Sequence, residues 1–187
     1  GYAIADQAAR MGAQVILVSA PTSLPVPSGV DFISVDSAVS MQEAVEARYN
    51  DVNVVIMAAA VSDFRVLHKA EQKIKKMESM TIELVKNPDI LQGLGSKKSH
   101  QILVGFAAET EHVIKYGQDK VAKKNLDMLV ANDVSKSNAG FNVDTNEGYF
   151  LYPDKEPKEM PNMKKSDLAR HILREVIDLV ANKADIN

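Results

Sequence analysis

The sequence predicts an α/β fold: a Rossmann-like, doubly wound, mainly parallel sheet with a C-terminal hairpin and helix. Three observations predict it. Short continuous apolar runs, at Val15–Val18, Val54–Met57 and Ile102–Phe106, read as strands buried on both faces. Stretches of helical periodicity separate these runs, and such alternation builds a parallel sheet through right-handed crossovers. Two of the runs end in small residues, Ala58-Ala59-Ala60 and Ala107-Ala108. Small side chains there leave backbone open to a flat ligand, and open α/β sheets bind ligands beyond the carboxyl ends of their strands.

Length and composition narrow the class. With 187 residues, 45% hydrophobic and 25% charged, the chain suits one globular domain spanning 1–187. A net charge of −3 gives no broad basic footprint, so nucleic acid is not expected as a partner. There is no cysteine, which excludes disulfides, thiolate nucleophiles and thiolate metal sites. No apolar run approaches the roughly 20 residues that span a bilayer, and no signal peptide is visible. No membrane partner and a cytoplasmic home are the expectation.

The elements follow in order. Ala3, Ile4, Ala8 and Met11 recur at helical spacing and Gly12 can end that helix. A doubly wound domain ordinarily begins with a strand and a glycine-rich turn, so Gly1 reads as the last glycine of a turn whose strand is missing. After the strand Gln14–Ser19, three prolines between Pro21 and Gly29 predict a rigid loop. A strand at Asp31–Val35 leads to a helix over Ser40–Tyr49 with Val45 inward. Val54–Met57 is the central strand. Thr81–Val85 predicts another strand, with Asn87 as N-cap and Pro88 at the first position of a helix running to Gly95.

Beyond Ile102–Phe106, a helix is expected over Glu111–Asn125, with Val113, Tyr116 and Val121 on one side, and then a strand at Asp127–Ala131. Residues 138–161 read as a hairpin extension turning at Asn146-Glu147-Gly148. The closing helix, Ser166–Ala181, takes Ser166 as N-cap and buries Leu168, Ile172, Leu173, Val176, Ile177 and Val180.

Four strand ends, Ala58–Asp63, Lys86–Asp89, Phe106–Glu109 and Asn132–Asp133, are expected along one edge of the sheet. Asp63 and Arg65 place opposite charges there, and KAEQKIKK at Lys69–Lys76 follows with four lysines. The pattern suits a planar ligand carrying phosphates; a packed strand end followed by a solvated basic loop fits equally. Phe106 can stack on a base or simply fill the core. Asn87 and the helix start behind it can bind an anion or merely cap. Lys120 and Lys124, four apart, share one helix face, which solvation alone also explains. The four histidines have no metal-ligand spacing, and metal ligands stay unassigned. No phosphate-loop, GxSxG or HExxH motif occurs.

AAAVSDFR, EQKIKK, LVKNPDIL, LVGFAAET, KVAKKNLD and VANDVS, in this order and spacing, resemble phosphopantothenoylcysteine synthetase. That family is the phosphopantothenate–cysteine ligase of coenzyme A biosynthesis, often the C-terminal half of a bifunctional bacterial protein. The resemblance runs from Gly1 to about Ala181. It implies a dimerising Rossmann-like domain that uses CTP with Mg²⁺ to activate 4′-phosphopantothenate as an acyl-cytidylate, from which L-cysteine displaces CMP. It implies nucleotide-binding roles for Ala58, Ala59, Asp63, Pro88, Asp89, Ile90 and Phe106, and phosphate contacts for Lys120 and Lys124. Lys73 resembles the family's active-site lysine on a mobile flap. Asn87 and Asn132 are further candidates, Asn132 for cytosine's exocyclic edge. FMN is implied only with an upstream decarboxylase domain, and the Phe141–Tyr152 hairpin is the expected dimer contact. The family's glycine-rich turn and the asparagine before it have no counterpart here, so a chain starting at Gly1 is expected to bind nucleotide but turn over poorly.

Two other classes compete. An NAD(P)-dependent oxidoreductase would use a Tyr-x-x-x-Lys pair, a spacing that Tyr116 and Lys120 have. A non-catalytic nucleotide-binding module would take its missing loop from a partner.

Overall fold

The computed structural model describes residues 1–76, 78–134 and 145–184. Its helices are α1 (Tyr2–Arg10), α2 (Ala38–Glu46), α3 (Ile90–Ser96), α4 (Val113–Lys123) and α5 (Lys165–Ala184). Its strands are β1 (Val15–Ser19), β2 (Val30–Ser34), β3 (Val54–Met57), β4 (Phe64–Val66), β5 (Leu84–Lys86), β6 (Ile102–Glu109), β7 (Met128–Asp133), β8 (Thr145–Leu151) and β9 (Lys158–Lys164). The main sheet runs β3-β6-β7-β8-β9, parallel through β7 and antiparallel beyond it. β1 and β2 pair in parallel as a sheet of their own.

Strand alternation divides the core into two layers. Ile102, Val104, Met128, Val130 and Phe150 face α1 and α5, packing on Ile4, Leu168 and Ile172. Leu103, Leu129, Ala131 and Leu151 face the other way, onto Met41, Leu91, Leu94 and Val121 of α2, α3 and α4. Helices therefore cover both faces, as the continuous apolar strand runs require. Gly117 lets α4 sit close to the sheet, since a Cβ there would lie 2.2 Å from Leu151 Cδ1.

Several expected details differ. The strand expected at Thr81–Val85 begins later, as β5, and pairs antiparallel with β4 in a ribbon outside the main sheet. The N-cap of α3 is Asp89, whose Oδ1 accepts from the Gln92 amide at 3.0 Å. Asn87 is instead buried, its Nδ2 donating to the Ser62 carbonyl, so a tertiary bond outcompetes capping. α2 begins earlier than expected because Ser37 and Ser40 form a reciprocal capping box. Asn146-Glu147-Gly148 is no turn: it lies within β8 at a register shift, and β8 joins β9 through residues 152–157. A Cβ on Gly148 would lie 1.9 Å from the Ala131 carbonyl oxygen, so this glycine serves close strand approach. Ser166 falls inside α5, which continues directly from β9, and cannot cap it. Ile177 and Val180 of α5 and Tyr116 of α4 are exposed. Residues 135–144, including Phe141, lie outside those described.

Candidate active site at the carboxyl edge

Parallel register fixes the edge. Met57 of β3 pairs with Gly105, and β6 continues past it to pair Ala108 with Asn132 and Glu109 with Asp133. Carried one residue further, the first register sets Ala58 level with Phe106. Three of the four expected strand ends thus share one edge. The fourth, Lys86–Asp89, arrives by the β4–β5 ribbon: the Asn87 amide donates to the Asp63 carbonyl at 2.7 Å, and Arg65 Nη1 reaches Lys86 O and Asn87 Oδ1, each at 3.1 Å. Asn87 is a tie between the loop after β3 and the start of α3.

Lys120 of α4 and Lys124, which caps the helix's carboxyl end, each hold a carboxylate near this edge. Lys120 pairs with Glu109 at the end of β6. Lys124 pairs with Asp89 at the start of α3, Nζ to Oδ2 at 2.9 Å. Partial burial tends to raise the Asp89 carboxyl, but the Lys124 ammonium and the Gln92 amide outweigh it and hold it below its ordinary value. The two lysines stand about one helical turn apart on a shared face, which suits neighbouring phosphates of one ligand. An incoming polyanion must share or displace their carboxylates.

The remaining candidates separate into two groups. A cavity of about 750 Å³ opens beside Gly1, Ala58, Ala59, Arg65 and Asn87, and continues down between β1 and β3. Asp63 and Pro88 adjoin its mouth in sequence. Phe106, Lys120, Lys124 and Asn132 lie along the neighbouring stretch of the edge. Phe106 is half-buried, its ring packed on the α1–α5 core layer. Ile90 is buried in the other layer and anchors α3. Asn132 Oδ1 is buried and has no hydrogen-bond partner among the described residues. Lys73 is exposed on the 67–83 connection between β4 and β5.

Asp36 and Ser37, just after β2, also line the cavity and were not among the sequence candidates. The Ser-x-x-Ser spacing of the capping box was the available signal. Glu109 was placed at the edge, but its pairing with Lys120 depends on two elements meeting. Tyr116 packs edge-on against His112, with centroids 5.7 Å apart, while Lys120 turns to Glu109. The Tyr-x-x-x-Lys spacing therefore forms no working pair here. No group of three histidine, aspartate or glutamate residues suited to a metal occurs among the described residues. The donors present do not make a protein cage for Mg²⁺, which commonly enters nucleotide sites on phosphate oxygens.

Fold and edge define a doubly wound α/β domain with its candidate site at the carboxyl ends of parallel strands. Residues 1–180 match the family described as DNA/pantothenate metabolism flavoprotein C-terminal domain, and the chain belongs to that family. It is 47% identical over 181 residues to the coenzyme A biosynthesis bifunctional protein CoaBC of Bacillus subtilis, covering 96% of this chain and 45% of that protein. With the CoaBC of Escherichia coli K12 it shares 43% over 182 residues, 95% of this chain and 45% of the relative. The chain thus spans about half the length of these curated relatives. A crystal structure of a CoaBC C-terminal domain superimposes with a TM-score of 0.83 at 40% identity, covering 97% of this chain and 82% of that one.

Proposed function

We propose that this domain is the phosphopantothenate–cysteine ligase unit of coenzyme A biosynthesis, with CTP as the activating nucleotide. The observation that carries the reading is similarity across 96% of the chain to a bifunctional coenzyme A biosynthesis protein. In the first step a carboxylate oxygen of 4′-phosphopantothenate attacks the α-phosphorus, and the bond to pyrophosphate breaks. In the second, the amine of L-cysteine attacks the acyl carbon, and the C–O bond to CMP breaks with loss of the amine proton.

The residues suit those steps. Lys120 and Lys124 meet phosphate oxygens, and Lys73 swings on its connection to the charge that builds at phosphorus. Closure by that connection shields the acyl-cytidylate from water. Ala58 and Ala59 leave backbone open to the nucleotide, with Asp63, Pro88 and Asp89 along its border, Ile90 holding them from the core beneath, and Phe106 beside the base. The unpartnered Asn132 oxygen is an acceptor suited to cytosine's exocyclic amine. Mg²⁺, carried by the triphosphate, neutralises phosphate charge when bound. A cytoplasmic enzyme with a fused or separate FMN-dependent decarboxylase partner completes this reading.

A homodimer fits one surface. Phe64, Val66, Leu67, Ile74, Met80, Ile82 and Leu84 are all exposed on the β4–β5 ribbon and its connection, and an isolated two-stranded ribbon is marginal in water. Phe150, Leu151 and Tyr152 of the hairpin face their own core instead. The ribbon is the better contact for a second copy, and that contact would bring the Lys73 connection to the interface.

Calorimetric titration in Mg²⁺ tests the assignment, with ATP and NADPH as controls. CTP binding at least ~10-fold tighter than either supports it, and tighter NADPH binding overturns it. Lys73→Gln is expected to keep CTP affinity within about 3-fold and lower the ligation rate by ~10²-fold or more, the scale of one lost charge-stabilising donor.

A further inference from the structure

The β4–β5 ribbon carries the 67–83 connection, and Lys73 with it, out from the sheet edge. Within one chain, packing holds it only weakly. Phe64, Val66, Leu67 and Leu84 are exposed, and Val85 alone among the residues of β4 and β5 is half-buried. A ribbon of two strands without a covering layer is marginal in water. Its angle to the body therefore depends on how its root is fixed.

The root is fixed by hydrogen bonds. The Asn87 amide donates to the Asp63 carbonyl at 2.7 Å where the strands leave the body, and the Leu67 amide donates to Glu83 O at 2.9 Å toward the tip. The Asn87 side chain bridges ribbon and body. Its Nδ2 donates to the carbonyl of Ser62, in the loop after β3, at 2.8 Å, and its Oδ1 accepts from Arg65 Nη1 at 3.1 Å. The same Nη1 donates to Lys86 O, joining the two strands at their base. Asn87 is 8% exposed, and it and Gln101 are the buried polar residues among those described. A buried amide is costly unless both its halves are bonded. An amide, unlike a carboxylate of the same shape, accepts from a guanidinium and donates to a carbonyl at once.

Leverage gives that bridge its weight. Asp63 and Leu67 lie ~13 Å apart along the strand at ~3.3 Å per residue. Play of ~10° at the root would swing the tip by about 2 Å, several times the ~0.5 Å within which a working group must be held. The Lys73 connection starts from that tip. The neighbouring start of α3 does not need the Asn87 side chain, because Asp89 caps the helix and pairs with Lys124 by itself.

We propose that Asn87, braced by Arg65, is a positioning residue that sets the angle of the ribbon to the sheet edge and so places Lys73 for reaction. This role rests on the ligase reading, in which Lys73 meets the charge that builds at phosphorus. Asn87 acts there through Lys73, so it contributes to rate and not to nucleotide affinity.

A double-mutant cycle in the full-length protein tests it. Asn87→Leu keeps nearly the same shape, removes both side-chain bonds and adds no charge near the phosphates. The ligation rate at saturating substrates is expected to fall ~10-fold or more, the scale of a displaced catalytic group. Calorimetric CTP affinity should stay within about 3-fold, as for an interaction that matters only in the transition state. In a Lys73→Gln background the same substitution should change the rate by less than about 2-fold, because no lysine is left to place. An equal loss in both backgrounds, an unchanged rate, or a rate loss that follows altered sedimentation overturns the proposal. Ligation that Lys73→Gln leaves unaltered would refute the lysine's role itself, and the proposal with it. Hydrogen exchange reads the root without turnover. The Asn87 and Leu67 amides should exchange ~10-fold or more faster in Asn87→Leu, with β6 and β7 as in the wild type; faster exchange throughout would mean lost stability alone and overturn the placement. Should Asn87→Leu fail to fold, Arg65→Gln breaks the same bridge from its exposed side, and the same cycle applies.

Discussion

β3 and β6 are neighbours with nearly the same sequence character, VVIM and ILVG, yet they live differently. β6 is paired on both sides and its first four residues are buried, Leu103 and Val104 at 0% exposure. β3 is paired on one side and each of its residues is only half-buried. Burial of a strand in a doubly wound sheet needs helices on both faces and strands on both edges. β3 has the helices but, among the described residues, pairs along one edge only. Apolar patterning thus specifies what a strand can bury, and its neighbours decide how much it does.

Substitutions can break this comparison. The largest expected effect is Leu129→Ala, at a site 2% exposed in the completed half of the sheet, where truncation should cost about 2–5 kcal/mol by urea denaturation. Val55→Ala in β3 should cost about 1 kcal/mol or less, because solvent already reaches it. Equal losses would show that the two halves are packed alike. A loss at Val55 as large as that at Leu129 would break the contrast between the half-buried strand and the buried one.

Gly117→Ala probes the completed half from the helix side. The added methyl would press on Leu151 Cδ1, whose own position is buried, and overpacking of this kind costs about 1–3 kcal/mol. A smaller loss, below about 0.5 kcal/mol, would mean that α4 can lift from the sheet without the usual overpacking penalty. That lift would also move Lys120 and Lys124, so on the proposed reading CTP affinity should fall with it.

The smallest effect concerns the edge itself. The Asp89 carboxyl is held below its ordinary value of 3.8. A depressed carboxylate contributes stability that is fully present above the ordinary value and is lost as pH falls through the lower folded value. As pH falls from about 5 through that range, the urea midpoint should therefore drop further in the wild type than in Lys124→Gln, which lacks the main lowering partner. Identical acid limbs would show that the pair contributes nothing, as many exposed pairs do.

Sequence periodicity by itself determined the α/β class, the parallel strands and the helices between them, because those depend on local pattern and on which faces must be buried. It also placed Ala58–Asp63, Phe106–Glu109 and Asn132–Asp133 at strand ends, since strand ends follow directly from strand runs. Tertiary structure alone decided the rest. Asn87 looked like a cap and became a tie to Ser62; Gly148 looked like a turn and became a point of close approach to Ala131. Lys120 and Lys124 looked solvated and were matched to Glu109 and Asp89, partners 11 and 35 residues away. Each of these depends on which distant groups arrive at a position, and hydrogen bonding, packing and charge act on that spatial neighbourhood rather than on neighbours in the chain.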